Sequence, residues 1–220
     1  MNSIKGSILY RFPLLIILFA ITPTACFKSL TVTNIVYQNN FESSQLNDLK
    51  VYGWNNGLFG QVTQPRISSF NESKVLGMLN SNQIKLNLSN LPAHQSLRVE
   101  FDLNLHNKWK NDLWAMQFDG NYRLITGFST DPGIQQSYPN WIGNGSALSP
   151  AGVNSETTSL PGICSLINSP TGSTRYRIVT TIQHTASTFD LDCNDAGGVF
   201  NDTCQRGWSM DNLKISVFKN

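Results

Sequence analysis

Charge is scarce in this 220-residue sequence: 14% of its residues are Asp, Glu, Lys or Arg. A nucleic-acid binder needs a dense Lys/Arg stripe, which so thin a supply does not provide. Two of the sixteen basic residues, Lys5 and Arg11, lie before residue 26, and residues 26–220 carry fourteen basic and fourteen acidic side chains, so no net pull on phosphate or on a membrane surface is left. Catalytic motifs are missing as well. There is no Gly-x-Ser-x-Gly elbow, His-Glu-x-x-His helix or phosphate-cradling glycine loop, and His94, His106 and His184 stand apart from the cysteines and from any serine motif. The longest apolar run, Phe12 to Ile21 with Pro13 inside it, is well short of the roughly 20 residues of a membrane-spanning helix. Internal repeats, heptads and a second domain boundary are absent from Thr31 onward.

What is present begins with an export signal over residues 1–25: basic Lys5 and Arg11, the apolar run, then small residues up to Ala25. Thr24-Ala25-Cys26 resembles the lipobox of bacterial lipoproteins, which implies acylation of Cys26 as the first mature residue, a short linker over 26–34 and a place in the cell envelope. Ordinary signal cleavage and secretion is the alternative. Cys193 and Cys204, with ten residues between them in an Asn/Asp/Gly-rich stretch, are the expected disulfide of an oxidising compartment, which leaves Cys164 as a buried thiol.

From Thr31 the apolar pattern has a period of two. Ile84-Lys85-Leu86-Asn87-Leu88 and Leu97 to Leu105 alternate over their whole length, as half-buried strands do. Further strands are expected over 35–41, 74–79, 113–119, 122–129, 176–184, 188–193 and 210–218. Together they predict an all-β fold, an antiparallel β-sandwich of eight or more strands in one domain, residues 35–220. Asn55-Asn56-Gly57, Asp119-Gly120-Asn121 and Asp131-Pro132-Gly133 mark turns. The Ser/Pro/Gly/Asn-rich segment 131–173 reads as a long loop of functional type.

Asn39-Asn40-Phe41-Glu42, the strand Leu97 to Leu103 after Asn90-Leu91-Pro92-Ala93-His94, Trp109, Asp112-Leu113-Trp114, Gln136-Ser137-Tyr138-Pro139 and the closing Gly207-Trp208-Ser209-Met210-Asp211-Asn212-Leu213-Lys214-Ile215 resemble a family of secreted bacterial β-sandwich domains. These are of the jelly-roll, galactose-binding-like or carbohydrate-binding-module type, and the resemblance runs over residues 36–218. It implies a jelly roll whose first and last strands lie side by side. Glu42 would then meet Asp211, and a structural calcium completed by backbone carbonyls and Asn212 is the cofactor expected there. The run Lys108-Trp109-Lys110-Asn111-Asp112 is shorter and more basic than the acidic, glycine-containing loop of relatives.

Asp192, Asn194, Asp195, Asn201 and Asp202 form a second oxygen-rich group, which a turn explains as well as an ion does, since the spacing and terminal Glu of an EF-hand loop are lacking. Five tryptophans point to sugar binding, in which aromatic faces stack on C–H groups while Asn, Asp and Gln read hydroxyls. Trp54, Trp109, Asp112, Tyr138 and Trp141 are the expected ligand-binding residues. Trp114 and Trp208 are expected in the core. Glu100 and Asp102, at i and i+2 on one strand, face the same side and are the acid pair that a glycan-active hydrolase would use.

No catalytic residue is assigned. The expected function is a non-catalytic, surface-exposed binding module with a glycan as ligand, attached to a membrane only through a lipid. The alternatives are an adhesive or structural envelope protein that binds a surface protein, and a small hydrolase.

Overall fold

The computed structural model describes residues 32–55, 58–62, 66–142, 147–195 and 202–219, without the side chains of Val32, Trp54 and Asn55. The export signal, Cys26 and most of the linker therefore lie outside the described residues.

Thirteen strands and one short 3-10 helix appear among the described residues. Sheet A contains β1 (Val32–Asn39), β4 (Ile67–Phe70), β5 (Ser73–Leu79), β7 (Ser96–Asn107), β10 (Thr157–Leu160), β11 (Ser173–Gln183) and β13 (Arg206–Lys219). Sheet B has the order β3 (Leu58–Gln61), β2 (Lys50–Asn55), β6 (Gln83–Leu88), β12 (Phe189–Asn194), β8 (Lys110–Phe118) and β9 (Asn121–Ser129). Every pairing is antiparallel, and from β5 to β8 and again from β11 to β13 the chain passes from one sheet to the other at each step, the winding of a jelly roll.

Alternation builds the core. Leu97, Val99, Phe101, Leu103 and Leu105 of β7 point between the sheets and meet Ile84 and Leu86 of β6, Trp114 and Met116 of β8, and Phe189 and Leu191 of β12. Trp114 sits at the centre, edge-on to Trp208 with ring centroids 5.9 Å apart and tilted against Phe101 at 6.0 Å. Trp114 and Trp208 are thus core residues, as expected.

The closing strand changes partner at an irregularity. Up to Met210 it pairs with β5, and from Leu213 it pairs with β1. Between them its register on β7 shifts and Asn212 takes φ 52°, a conformation Asn tolerates better than most residues. The extra residue resets the alternation, so that Met210 and Leu213 both face inward. The β8–β9 hairpin closes through Asp119 (φ 51°) and Gly120 (φ 75°), the positive-φ pair of a type I′ turn that the sequence marks.

Two expectations are corrected. The disulfide joins Cys164 to Cys204, with Cα atoms 5.6 Å apart. Cys193 is a free thiol, because the period of β12 turns Phe189, Leu191 and Cys193 together into the core, and burial pushes this thiol's pKa well up. The segment 131–173 is not one loop. Ser137 and Tyr138 N–H groups donate to Gly127 O, and Ile142 N–H to Ile125 O, which covers the free edge of β9. Beyond it lie β10 and the 3-10 turn Cys164–Leu166.

Candidate functional site

The two outer faces of the sandwich differ in what they leave available. On sheet A the outward side chains of β7, β11 and β13 pair with one another. Arg177 donates to Asp102 at 2.6 Å and lies 3.7 Å from Glu100, Lys214 and Arg98 also engage Glu100, and Asn212 donates to Asp102. Burial works to raise the Glu100 pKa, but the Lys214 hydrogen bond and the charges of Lys214, Arg98 and Arg177 outweigh it and hold the group below the usual range. Glu100 and Asp102 are each 6% exposed, so the acid pair weighed for hydrolysis is built into an ion-pair ladder.

Further along this face His106 lies between Ser173 Oγ and Ser209 Oγ, 2.9 Å from each, beneath the Phe70 ring at 4.5 Å. Burial, with the charge of Arg175, depresses its pKa to about 3. Phe70, Val75, Leu160 and Ile163 form a small second core in this region. His106 and both serines are fully buried, so this Ser–His contact is closed to substrate.

Sheet B keeps its outer groups in reach. Val51, Ile84, Leu86, Leu191 and Met116 point inward, so the period of two sends Tyr52, Gln83, Lys85, Asn87, Asp190, Asp192, Asn194 and Gln117 outward, half-buried or exposed. Tyr52 stacks on exposed Phe59 with centroids 6.5 Å apart and planes 19° apart, and Lys85 Nζ lies 5.5 Å over the Tyr52 ring. Trp54 pairs in register with Phe59. Across the face Gln83 donates to Asp192 at 2.5 Å, Asn87 donates to Asp190 at 2.7 Å, and exposed Tyr122 pairs with Gln117 near the far edge. Six strands at ~4.8 Å spacing make the face about 24 Å wide.

At one end of the sandwich a cavity of about 660 Å³ opens beside the disulfide, with Lys108, Lys110, Asp112, Ser165, Cys204 and Arg206 among its walls. Arg206 Nη1 donates to Asp112 Oδ1 at 2.8 Å, its Nη2 lies 3.4 Å from Asp195 Oδ2, and the guanidinium rests 5.1 Å from the Trp109 ring centroid.

The residues expected to bind ligand do not form one cluster. Trp109 is corrected to a core residue: it is fully buried, covered by Arg206, and its indole N–H donates to Gly207 O at 2.9 Å. Asp112 lines the cavity. Tyr138 is half-buried, stacked on Phe128 at 4.7 Å and edge-on to Tyr176 at 5.2 Å, and burial raises its pKa. Trp141 is exposed beside the edge of β9. The side chain of Trp54 lies outside the described residues. Tyr52, Phe59, Gln83 and Arg206 are not singled out by sequence, and Lys108 and Lys110 only as a basic loop, although the strict alternation of Gln83, Lys85 and Asn87 with Ile84, Leu86 and Leu88 marks an outward row.

For the expected calcium, Glu42 Oε1 and Asp211 Oδ2 converge on Ser73 Oγ, at 2.8 and 3.2 Å, with Lys74 O at 3.4 Å. One hydroxyl carries one proton and serves one of these acceptors at a time, and Lys74 Nζ also reaches this turn, 2.8 Å from Ser44 Oγ. Glu42 is held low by the Lys74 N–H and the Ser73 hydroxyl, while burial raises Asp211. The Asn212 side-chain nitrogen donates to Asp102 at 2.8 Å. The second oxygen-rich group is occupied by protein donors. Asp195 accepts the N–H groups of Ser81 and Asn82, Asp202 accepts that of Cys204, and Asn201 is outside the described residues. No group of three or more His, Cys, Asp or Glu suited to a metal occurs among the described residues.

No family model and no curated protein matches the chain. Among solved structures it is similar to dimeric latent PorU from Porphyromonas gingivalis, with 10% identity over 79% of this chain and a TM-score of 0.39; the match spans only 13% of that chain. It is also similar to a family 35 carbohydrate binding module from Clostridium thermocellum (12% identity, 84% of this chain, 97% of that one, TM-score 0.35). A third is the C-terminal CBM6 of LamC, a marine laminarinase from Zobellia galactanivorans (10% identity, 84% and 98% covered, TM-score 0.33).

Proposed function

We propose that this protein is a non-catalytic glycan-binding module and that the outer face of sheet B is its binding surface. The observation that carries this reading is the pairing of a flat aromatic platform, Tyr52 on Phe59, with a row of amide and carboxylate side chains on neighbouring strands. Aromatic faces take up the apolar side of a sugar ring, and amides and carboxylates on a rigid sheet read its hydroxyls. The side chains are already joined by hydrogen bonds, so little ordering is left for binding to impose.

The same reading places the domain outside the cell, held through an acylated Cys26. Labelling of wild type by a palmitate analogue, and none of Cys26→Ser, tests this. A calcium ion held by Glu42 and Asp211, with the Ser73 hydroxyl beside them, would neutralise the two carboxylates and tie the turn after β1 to the closing strand.

A glycan array followed by calorimetry with plant and host polysaccharides, calcium present, tests the function. Binding to at least one polysaccharide class supports it. Uniform absence of binding overturns it, and capture of a defined surface protein in the same screen would replace it with the adhesive reading.

A further inference from the structure

We infer that the cavity at the end of the sandwich is a second, separate site that takes an anionic saccharide unit, a sugar bearing a carboxylate or sulfate group; its saccharide character rests on the glycan-binding reading, whereas its charge preference rests on the cavity alone.

The volume of about 660 Å³ lies within the ~300–1,000 Å³ of small-ligand sites. Its one acidic wall residue among the described residues is already engaged on both oxygens: Asp112 Oδ1 accepts from Arg206 and Oδ2 accepts the Lys110 N–H at 2.7 Å. The Arg206 guanidinium is neutralised from two sides by Asp112 and Asp195 and fixed over Trp109. These contacts make a rigid, charge-balanced floor. Lys108 and Lys110 remain at the mouth, both exposed and neither ion-paired with any described residue. Two ammonium groups on the wall of a polar cavity raise the local potential and draw anions, whereas a neutral ligand gains only hydrogen bonds from them.

The part of the wall beside the disulfide is fastened too. The Cys164–Cys204 bridge ties the 3-10 turn that carries Ser165 to the turn that precedes Arg206. Asn107 reinforces this, donating to Cys204 O at 2.7 Å and accepting the Ile163 N–H at 3.1 Å. The cavity therefore exists before any ligand arrives, and its lysines stand on a short β7–β8 turn held by Thr130, whose hydroxyl donates to Asn107 O and accepts the Trp109 N–H.

The test uses the full chain with galacturonate oligomers and their methyl esters, which share a backbone and differ in charge. Titration followed by NMR should show the acid form shifting amides 107–112 and 204–206, with affinity falling as salt rises. The ester should bind there at least tenfold more weakly. Lys108→Glu/Lys110→Glu, altering exposed side chains only, should weaken the acid form at least tenfold and leave any binding at Tyr52 and Phe59 unchanged. Equal binding of acid and ester at the cavity, shifts only elsewhere, or an unaffected double variant would overturn the inference. Neutral glycans bound on sheet B with no anion in the cavity would overturn this inference alone. Galacturonate in the cavity with no glycan on sheet B would overturn the sheet B reading alone.

Discussion

The two outer faces of the sandwich are written in the same alphabet and end in opposite states. Arg98, Glu100, Asp102, Asn104 and His106 alternate with core residues on β7 as Gln83, Lys85 and Asn87 do on β6. On sheet A the polar groups close on each other, and the strip from Phe70 to Ile163 covers part of them. On sheet B the neighbouring strands offer Tyr52, Phe59, Asp192 and Gln117, and no described segment lies over them. The sheet B groups pair as well, Gln83 and Lys85 with Asp192 and Asn87 with Asp190, yet they stay half-buried or exposed, so reach from solvent is a better marker of a binding face than polarity is.

The covered state of sheet A is the easier one to break. Cys164→Ser/Cys204→Ser releases a loop of about forty residues that ends beside Ile163, and chain entropy puts the loss at about 4 kcal/mol. Urea titration should show it, and amide exchange should rise around β10 before it rises in β6 or β12. Next comes calcium at the edge of this face: an ion that binds only the folded state adds about 2.7 kcal/mol at a hundredfold excess over its Kd. Differential scanning fluorimetry should show a rise in Tm with calcium for wild type and none for Asp211→Asn.

His106 sharpens the comparison through pH. Its folded pKa, about 3, lies below its ordinary value of 6.5, so the folded state resists a proton that the unfolded chain accepts. The stability it contributes is full above 6.5 and is lost as pH falls towards 3, at up to about 1.4 kcal/mol for each pH unit. Asp195 and Asp211 act in the opposite sense: burial raises both, so what they contribute is present at low pH and lost as pH rises through their folded values. The difference between wild type and His106→Gln across pH 4 to 7 isolates the histidine, and equal slopes would contradict the closed network. The smallest effect belongs to sheet B. Lys85, 41% exposed beside Asp192, should change stability by less than about 0.5 kcal/mol when replaced by Ala, while glycan affinity drops.

The strands of the core were legible because burial on one face imposes a period of two, and β5, β7 and β9 lie close to where that period places them. β2, β3, β4 and β10 are not among the expected strands: the last three have four residues each, β3 is exposed throughout, and β2 buries only Val51 and Gly53 of residues 50–53, so little buried face writes a pattern into them. The Cys164–Cys204 bridge joins residues forty apart in sequence, and spacing along the chain could not point to it. Asp112 was found from its tryptophan neighbours, yet its partner Arg206 comes from another strand of the other sheet. Trp109 failed as a ligand residue for a related reason, since a tryptophan in a polar turn becomes core once a distant guanidinium covers it.

The central claim, that sheet B is the binding face, is tested most directly by affinity electrophoresis of wild type and Tyr52→Ala/Phe59→Ala in gels containing the polysaccharide that wild type prefers. The account predicts that the double variant keeps its melting temperature within a few degrees and runs unretarded, a loss of at least tenfold in affinity, or about 1.4 kcal/mol. A double variant that folds and is retarded as strongly as wild type would contradict it.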